Sequence, residues 1–302
     1  MNKVVIVGCG NVGTSYAFSL INQNAYVNEI VLVDIIDTKV EGEVLDLTNA
    51  LPYTNPNMKI KAGTYDDCKD ADIVCITAGV PHRPGMTSRL EDLDKGCVIL
   101  KSIVKPIAQS GFSGIYLIAS NPLDVMSYLA FKESGISPER VIGSGTCLDT
   151  ARLRCVLSEK LNVSPKSVNA YVMGEHGNSQ FVAWNSAKIG GRNVVDYINE
   201  SDRNSIENYV KYLGLEIGEK KGYTCYGIGM TLARITKAIL GDENAILSVS
   251  SYNKEHDIFI GSPSIVNRNG IAKSNLIDLS SEEQEKFNNS VSIIKEAISK
   301  IS

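Results

Sequence analysis

The sequence predicts an α/β protein, with a doubly wound parallel sheet in the first half and an α+β domain in the second. In the first half, short apolar runs of strand length alternate with longer segments of helical spacing, a pattern typical of βαβ units. This regular alternation stops near residue 145. A length of 302 residues fits about two domains. We therefore expect one domain over residues 1–144 and a second over residues 145–302.

Four continuous apolar runs in the first half are typical of parallel strands covered on both faces. They lie at residues 4–7, 30–33, 73–77 and 115–118. The segments between them have the length and the apolar spacing of amphipathic helices. These lie near residues 11–23, 38–51, 88–110 and 122–134. The alternation predicts a parallel sheet with helices on both faces.

The second half is expected to begin with a helix near residues 147–162, followed by an alternating strand at 167–173 and a glycine-rich turn. Two further helices and three strand-like runs follow, near residues 203–219, 225–240, 245–252, 257–261 and 269–272. The last helix has a clear start, because Ser280 and Glu283 have the spacing of a capping box. Lys295 and Lys300 lie toward its far end, where cations favour the helix dipole.

Composition narrows the classes of partner and compartment. The 30 Lys and Arg against 34 Asp and Glu leave a formal net charge of -4, which argues against nucleic acid and anionic lipid as partners. No apolar run approaches the roughly 20 residues that span a bilayer. Gly8, Gly10 and Asn11 interrupt the opening apolar stretch, which therefore predicts a buried strand and not a signal peptide. The seven cysteines form no C-x-x-C pair, so we expect free thiols, no metal site and a cytoplasmic protein.

A G-x-G-x-x-G motif follows the first predicted strand and opens the first helix. It reads Gly8-Cys9-Gly10-Asn11-Val12-Gly13. Such glycines allow a tight turn, a close approach of the backbone to a pyrophosphate, and close packing of helix on strand. Asp34 ends the second strand 21 residues after Gly13, placed to bind an adenosine ribose and to repel a 2′-phosphate. The pattern predicts a Rossmann-type domain that binds NAD.

A candidate catalytic group lies near the middle of the chain. His176 stands between glycines, directly after a predicted strand, and is one of three histidines. A histidine on a tight turn is a candidate acid/base. Asp149 and Arg152 lie three residues apart on one helical face. The carboxylate would hold an imidazole, and the guanidinium would bind a substrate carboxylate.

Six motifs together give the whole chain a resemblance to the L-lactate/L-malate dehydrogenase family, including its L-2-hydroxyisocaproate branch. They are residues 8–13, Thr77-Ala78-Gly79, Ser120-Asn121-Pro122, residues 148–152, residues 174–177 and Gly222-Tyr223-Thr224. Residues 174–184 and 222–224 look especially like the hydroxyisocaproate branch. Most lactate enzymes have Asp where this chain has Asn178.

The resemblance implies a role for each motif. The catalytic residues would be His176 as acid/base, Asp149 as its orienting partner, and Arg89, which would fold over the site and polarise the carbonyl. The substrate would contact Arg152, Asn121 and Thr224, with His82 or Arg83 selecting its side chain. NAD would contact Gly8, Gly10, Asn11, Val12, Gly13, Asp34, Thr77, Ala78, Gly79, Asn121 and Ile228. The family also implies a homotetramer or dimer and a small 2-oxo or 2-hydroxy acid as substrate.

The substrate loop leaves the exact acid open. Counting forward from Ala78-Gly79 places His82 at the family's discriminating position, whereas counting back from Arg89 places Arg83 there. A desolvated Arg83 would require a second substrate carboxylate, as in malate, because an unpaired buried charge is costly. With a neutral His82 there, L-lactate or a related acid such as L-2-hydroxyisocaproate fits better. A non-catalytic NAD-binding protein is a remote alternative, since fold alone does not fix function.

Activation by fructose 1,6-bisphosphate is also left open by the sequence. In the allosteric lactate enzymes, an Arg and a His bind this effector at a subunit interface. Arg154 matches the first of these residues, but Asn169 replaces the second. Arg154 is equally well explained as a surface residue.

Overall fold

The structure, a computed structural model, describes residues 2–54, 57–80, 85 and 90–301. The strands of the first half are β1 (Lys3–Val7), β2 (Glu29–Val33), β3 (Lys59–Ala62), β4 (Ile73–Ile76), β5 (Ile115–Ile118) and β6 (Val141–Gly143). The helices there are α1 (Asn11–Asn22), α2 (Asp37–Ala50), α3 (Leu93–Gln109) and α4 (Leu123–Ser134). All four predicted strands are present.

The strands of the first half pair in the order β3-β2-β1-β4-β5-β6, and every pair is parallel. β1 lies between β2 and β4, where Val5 pairs with Val31 on one side and Val74 on the other. Every residue of β1 is buried, as expected for an apolar strand covered on both faces. The strand order changes direction between β1 and β4, since β2 and β3 lie on one side of β1 and β4 to β6 on the other. Open α/β sheets bind ligands at the carboxyl ends of the strands at such a point.

The sequence missed two strands of this sheet for different reasons. β3 is the edge strand, and its sequence Lys-Ile-Lys-Ala has one large apolar residue, so it carries no apolar run. β6 has only three residues, which is too short for a periodic signal. α3 starts at Leu93, five residues later than the predicted start at 88.

The second half contains four helices and eight short or long strands within the described residues. They are α5 (Cys147–Leu161), β7 (Val168–Asn169), β8 (Val172–Met173), β9 (Phe181–Val182), β10 (Lys188–Ile189), β11 (Arg192–Asn193), α6 (Glu200–Lys221), α7 (Tyr226–Leu240), β12 (Ala245–Asn253), β13 (Ile258–Asn267), β14 (Gly270–Lys273) and α8 (Ser281–Ser299).

The single strand predicted at residues 167–173 is instead two. β7 joins β10 and β11 in a small antiparallel sheet, and β8 pairs with β9. Residues 170–171 separate them, and the N–H of Val172, the first residue of β8, donates to Thr150 Oγ1 on α5 at 2.9 Å. Alternating apolar residues predicted extended chain correctly, but they did not predict which strand each part would pair with.

The strands β12, β13 and β14 extend the parallel sheet in antiparallel fashion, so the described residues form one sheet of nine strands. The junction is between β6 and β12, where Gly143 pairs with Ser250. A Cβ at Gly143 would lie 2.8 Å from Ser250 Cβ, so this close approach requires glycine. The sheet thus continues across the boundary expected between residues 144 and 145.

Helices cover both faces of the large sheet, which confirms the predicted fold class. One core contains buried side chains of α1, α2 and α7, and the other contains those of α3, α4 and α8. A third, smaller core lies among α5, α6 and the short strands. Among the described residues, no helix is both long and apolar enough to cross a membrane.

Candidate active site

The glycine turn after β1 packs tightly against the turn after β4. Gly8 has a φ of +101°, and a Cβ on it would lie 2.5 Å from the Ala78 nitrogen. A Cβ on Gly13 would lie 2.0 Å from the Gly8 carbonyl oxygen. The Thr77 hydroxyl donates to the same oxygen at 2.6 Å. These positions therefore accept only glycine, because the space that a side chain needs is already filled.

Gly10 is different, because the space around it is open. Among the described residues, no heavy atom lies within 4 Å of the Cβ that an alanine there would carry. Gly10 is also the N-cap of α1, and the first turn of this helix contains no acidic residue. The N-terminus of α1 therefore presents N–H groups and a partial positive charge beside an open surface, which fits the pyrophosphate of NAD.

Asp34 lies beside this turn, at the carboxyl end of β2. Its Oδ2 accepts a hydrogen bond from the Cys9 N–H at 2.6 Å, and its Oδ1 accepts one from the Ile36 N–H at 3.3 Å. Burial, and then the Asp34 charge, raise the pKa of the Cys9 thiol to about 12. Asp34 is thus a fixed carboxylate next to the helix N-terminus, and its acceptor oxygens suit the ribose hydroxyls of NAD.

The other residues expected to contact the cofactor border the same crevice. Ala78 and Gly79 follow β4, and the Ser120 hydroxyl donates to the Ala78 carbonyl oxygen at 2.5 Å. Asn121 follows β5 and is exposed. Val12 is half-buried and packs its side chain partly against the core.

The predicted residues Thr224 and Ile228 are brought toward the nucleotide helix by a close crossing of α7 with α1. A Cβ on Gly229 would lie 2.5 Å from Ser15 Oγ, and this hydroxyl donates to the Cys225 carbonyl oxygen at 3.1 Å. Thr224 is half-buried in the segment between α6 and α7, and Ile228 lies in the first turn of α7. The crossing therefore ties this segment to the glycine turn.

His176, Asp149 and Arg152 meet in one cluster. One oxygen of Asp149 contacts His176 Nδ1 at 2.8 Å, and the other accepts from Arg152 Nη1 at 2.8 Å. The Asp149 side chain is 2 % exposed, that of His176 12 % and that of Arg152 10 %. The imidazole and the guanidinium thus face solvent slightly while the carboxylate between them is buried. This arrangement can hold a proton-transferring imidazole beside an anion-binding guanidinium.

The turn that carries His176 is held by its own glycines. Gly174 has a φ of +92°, and it bridges Gly261 of β13 through two backbone hydrogen bonds of 3.0 Å. A Cβ on Gly177 would lie 2.3 Å from Glu175 Oε1. The buried Glu175 carboxylate in turn accepts hydrogen bonds from the Ser179 backbone and hydroxyl. The turn is therefore rigid, with His176 at its tip.

Sequence reasoning missed Asp124, which also contacts this turn. Asp124 Oδ2 accepts a hydrogen bond from the His176 backbone N–H at 2.7 Å. The available signal was a charged residue inside the otherwise apolar stretch that follows Asn121-Pro122. The pattern alone did not show that this carboxylate turns inward.

Three of the predicted site residues lie outside the described residues: Arg89, His82 and Arg83. Their expected roles, and the choice between the two registers of the substrate loop, remain predictions. Arg154 Nε donates to the Ala170 carbonyl oxygen at 3.4 Å, and its guanidinium lies over the Tyr171 ring. Asn169 is exposed on β7.

Comparison with known proteins gives matches along the whole chain. The profile of the lactate/malate dehydrogenase NAD-binding domain matches residues 2–143, and that of the family's alpha/beta C-terminal domain matches residues 146–302. The L-lactate dehydrogenase 1 of Bacillus cereus strain ATCC 10987 / NRS 248 is 44 % identical, over 100 % of this chain and 98 % of the relative. The L-lactate dehydrogenase 2 of Bacillus anthracis is 45 % identical with the same coverage.

Solved structures show the same similarity in three dimensions. A lactate dehydrogenase enzyme from a Medee basin deep-sea metagenome library superposes with a TM-score of 0.94 at 44 % identity, covering 99 % of this chain and 98 % of the other. The ligand-bound minor L-lactate dehydrogenase of Enterococcus mundtii also gives a TM-score of 0.94, at 42 % identity over 100 % of this chain and 98 % of the other.

Proposed function

The chain belongs to the lactate/malate dehydrogenase family, and we propose that it is an L-lactate dehydrogenase, which interconverts pyruvate and L-lactate. It is an NAD-dependent enzyme that acts on a 2-hydroxy acid. The observation that carries the proposal is the contact of Asp149 with both His176 and Arg152. The relatives named above are L-lactate dehydrogenases, so malate and hydroxyisocaproate are not favoured as substrates.

The residues of this cluster divide the chemistry between them. NAD, when bound, supplies or accepts the hydride. During reduction, the imidazolium of His176 donates a proton to the carbonyl oxygen of pyruvate, and in the reverse direction neutral His176 takes the hydroxyl proton of lactate. Asp149 holds the proton on Nδ1, so that Nε2 is the atom that exchanges a proton with the substrate. One nitrogen, Nε2, therefore donates the proton when pyruvate is reduced and takes it back when lactate is oxidised.

Arg152 is proposed to bind the substrate carboxylate. One of its amino groups donates to Asp149, and a guanidinium has five N–H donors, so others are left for a second carboxylate. Arg89 is proposed to polarise the substrate carbonyl, and His82 or Arg83 to contact the substrate side chain. These three roles rest on the sequence resemblance.

The substrate assignment is tested by initial rates of NADH oxidation with pyruvate, oxaloacetate and 2-oxoisocaproate. We expect the highest kcat/KM with pyruvate. A kcat/KM that is orders of magnitude higher with oxaloacetate or 2-oxoisocaproate would contradict the assignment.

His176→Asn should lower kcat at least ~10³-fold while NADH still binds, because only the acid/base is removed. His256→Asn is the matched control, since His256 packs near the Phe287 ring and is expected to leave kcat unchanged.

We also propose that the protein forms a homo-oligomer, as the family resemblance implies. Large apolar side chains are exposed on α1, α2 and α7, where Phe18, Tyr226 and Met230 border one cleft. Apolar patches of this kind commonly mark protein interfaces. Sedimentation velocity distinguishes a monomer from a dimer or tetramer. We propose a cytoplasmic location as well, because all seven cysteines are free thiols, which suits a reducing compartment. The proposed division into domains at residues 1–144 and 145–302 rests on the chain length and on the end of the strand-helix alternation near residue 145.

A further inference from the structure

Asp124 is a buried carboxylate where three elements meet. It lies in the first turn of α4, only 2 % exposed. One oxygen accepts the backbone N–H of His176 at 2.7 Å, and the other accepts the hydroxyl of Ser250 on β12 at 2.5 Å. α4 begins directly after Asn121-Pro122, so this carboxylate connects the end of β5, the catalytic turn and the extended sheet.

The local environment favours a charged carboxylate at this position. A buried carboxylate is costly unless hydrogen bonds compensate for lost water, and Asp124 has donors on both oxygens. Hydrogen bonds to an ionised acceptor are among the strongest in proteins. The N-terminal turn of α4 adds a favourable dipole. The Asp124 side chain is therefore held in one orientation.

His176 is consequently held at two separate points. Asp149 contacts the ring at Nδ1, and Asp124 holds the main-chain nitrogen of the same residue. The bridge between Gly174 and Gly261 anchors the backbone before it. Asp149 can orient the ring only if the backbone presents it at the correct distance. Asp124 supplies the hydrogen bond that sets the backbone position.

We propose that Asp124 is a positioning residue for proton transfer, acting on His176 through its backbone. The effect on turnover rests on the proposed dehydrogenase function, whereas the effect on the His176 backbone does not. A misplacement of about 1 Å in a reacting group can cost roughly 100-fold in rate. Loss of the hydrogen bond from His176 N–H to Asp124 should therefore lower kcat more than it changes substrate binding through Arg152.

Two substitutions separate the hydrogen bond from the charge. Asp124→Asn removes the charge but keeps an oxygen for the His176 N–H, while its amide group donates to Ser250 in place of accepting from it. Asp124→Ala removes both the charge and the hydrogen bond. The matched controls are Asp72→Asn and Asp72→Ala. Asp72 accepts the backbone N–H of Lys3 at 2.8 Å, at the amino ends of β1 and β4, far from the catalytic turn.

We expect Asp124→Ala to lower kcat roughly 10- to 100-fold, with the KM for pyruvate and the affinity for NADH within about threefold of the wild type. Asp124→Asn should keep kcat within about fivefold. The apparent pKa of lactate oxidation should be lower in Asp124→Ala than in Asp124→Asn, because an imidazole displaced from Asp149 loses stabilisation of its protonated form. The Asp72 variants should change stability without changing kcat or this pH profile.

Three kinetic results would overturn the proposal. One is a folded Asp124→Ala variant with wild-type kcat. Another is an equal loss of kcat in Asp124→Ala and Asp124→Asn, which would assign the effect to charge. The third is a loss confined to KM or to NADH affinity.

Hydrogen exchange at the His176 amide provides a test that needs no activity. In the wild type this amide should be protected, since its N–H is bonded to a buried carboxylate. The protection factor of the His176 amide should be unchanged in Asp124→Asn and should fall at least about tenfold in Asp124→Ala. A wild-type amide that exchanges as fast as an exposed one would refute the proposal, even if Asp124→Ala does not fold. If the exchange results hold while the wild type reduces no 2-oxo acid, the positioning role stands and the proposed function fails.

Discussion

The proposed role of each site residue depends on the side chains that contact it. Asp149 divides its two oxygens between His176 and Arg152, and so couples the proton-transfer residue to the anion-binding one. The spacing of Asp149 and Arg152 within a helix was readable from the sequence, because residues three apart share a helical face. The contact with His176 was inferred from chemistry and resemblance, and it is present at 2.8 Å.

The cysteines illustrate how burial sets reactivity. Burial is the largest cause of the raised pKa of Cys9 and Cys68, both to about 12, and of Cys147, to about 11. A thiol with a pKa of about 12 is ionised in roughly one molecule in 10⁴ at pH 8, and the thiolate is the reactive form. Cys155, by contrast, is exposed on α5. Five of the seven are buried, as expected for small core residues.

We therefore predict that one thiol per chain reacts rapidly with a disulfide reagent at pH 8 and that this thiol is Cys155. The other thiols should react only on unfolding, because they are buried or half-buried and the reagent cannot reach them. Absorbance of the released thiolate measures both phases. Cys155→Ser should abolish the fast phase, and Cys147→Ser serves as the matched control on the same helix. A fast phase that survives in Cys155→Ser would contradict the prediction.

The turn between β1 and α1 shows that glycines of one motif serve different purposes. Gly13 allows α1 to pack on the turn, where a Cβ would lie 2.0 Å from the Gly8 oxygen. Gly10 is surrounded by open space on the side where NAD fits. Both purposes were expected from the motif. The structure adds that Thr77 and Ala78, some 70 residues later in the chain, crowd the turn: a Cβ on Gly13 would lie 2.8 Å from Thr77 Oγ1, and one on Gly8 would lie 2.5 Å from the Ala78 nitrogen.

Gly13→Ala should therefore lower the stability of the fold, whereas Gly10→Ala should lower the affinity for NADH. Gly13→Ala should lower the midpoint of urea unfolding markedly, because the added methyl group overlaps backbone atoms. Gly10→Ala should unfold like the wild type but bind NADH at least about tenfold more weakly, since its methyl group occupies the approach to the pyrophosphate. Fluorescence titration with NADH and urea denaturation measure the two effects. Unchanged NADH affinity in Gly10→Ala would show that the cofactor does not approach this residue.

Helices and strands were predicted best where the pattern was long or had a defined end. α8 begins where Ser280 and Glu283 form the expected reciprocal hydrogen bonds. α6 starts earlier than expected, at Glu200, because Asn199 caps it through the Asp202 N–H. β13 extends to Asn267, six residues beyond the predicted end at 261. Short strands such as β6 and β9 have too few residues for periodicity, and their existence depends on a partner strand.

The two halves of the chain share one sheet and two common cores. Val4 and Ile6 of β1 lie in the same core as Leu232 and Val249 from the second half. Ile76 and Leu100 similarly share a core with Phe259 and Ile294. Each half therefore contributes apolar side chains to both shared cores, while the third, smaller core lies within the second half alone.

From this shared core we predict a single cooperative unfolding transition in urea. Trp184 is the only tryptophan and lies in the second half, so its fluorescence reports on that half. Far-UV circular dichroism reports on the helices of both halves. The two probes should give coincident midpoints at a fixed protein concentration. Separate midpoints would show that the halves unfold independently.

The sequence by itself determined the elements and chemistry that depend on neighbouring residues: the buried parallel strands, the glycine turn with Asp34, the cap of α8, and the residue types suited to a 2-hydroxy acid dehydrogenase. Tertiary structure decided which distant residues meet. Asp124 and His176 are 52 residues apart, and their hydrogen bond exists because α4 and β13 bring them together. The pairing of Gly143 with Ser250 arises in the same way. Local periodicity carries information about which face a side chain occupies, whereas contacts across the sheet depend on packing that no short stretch encodes.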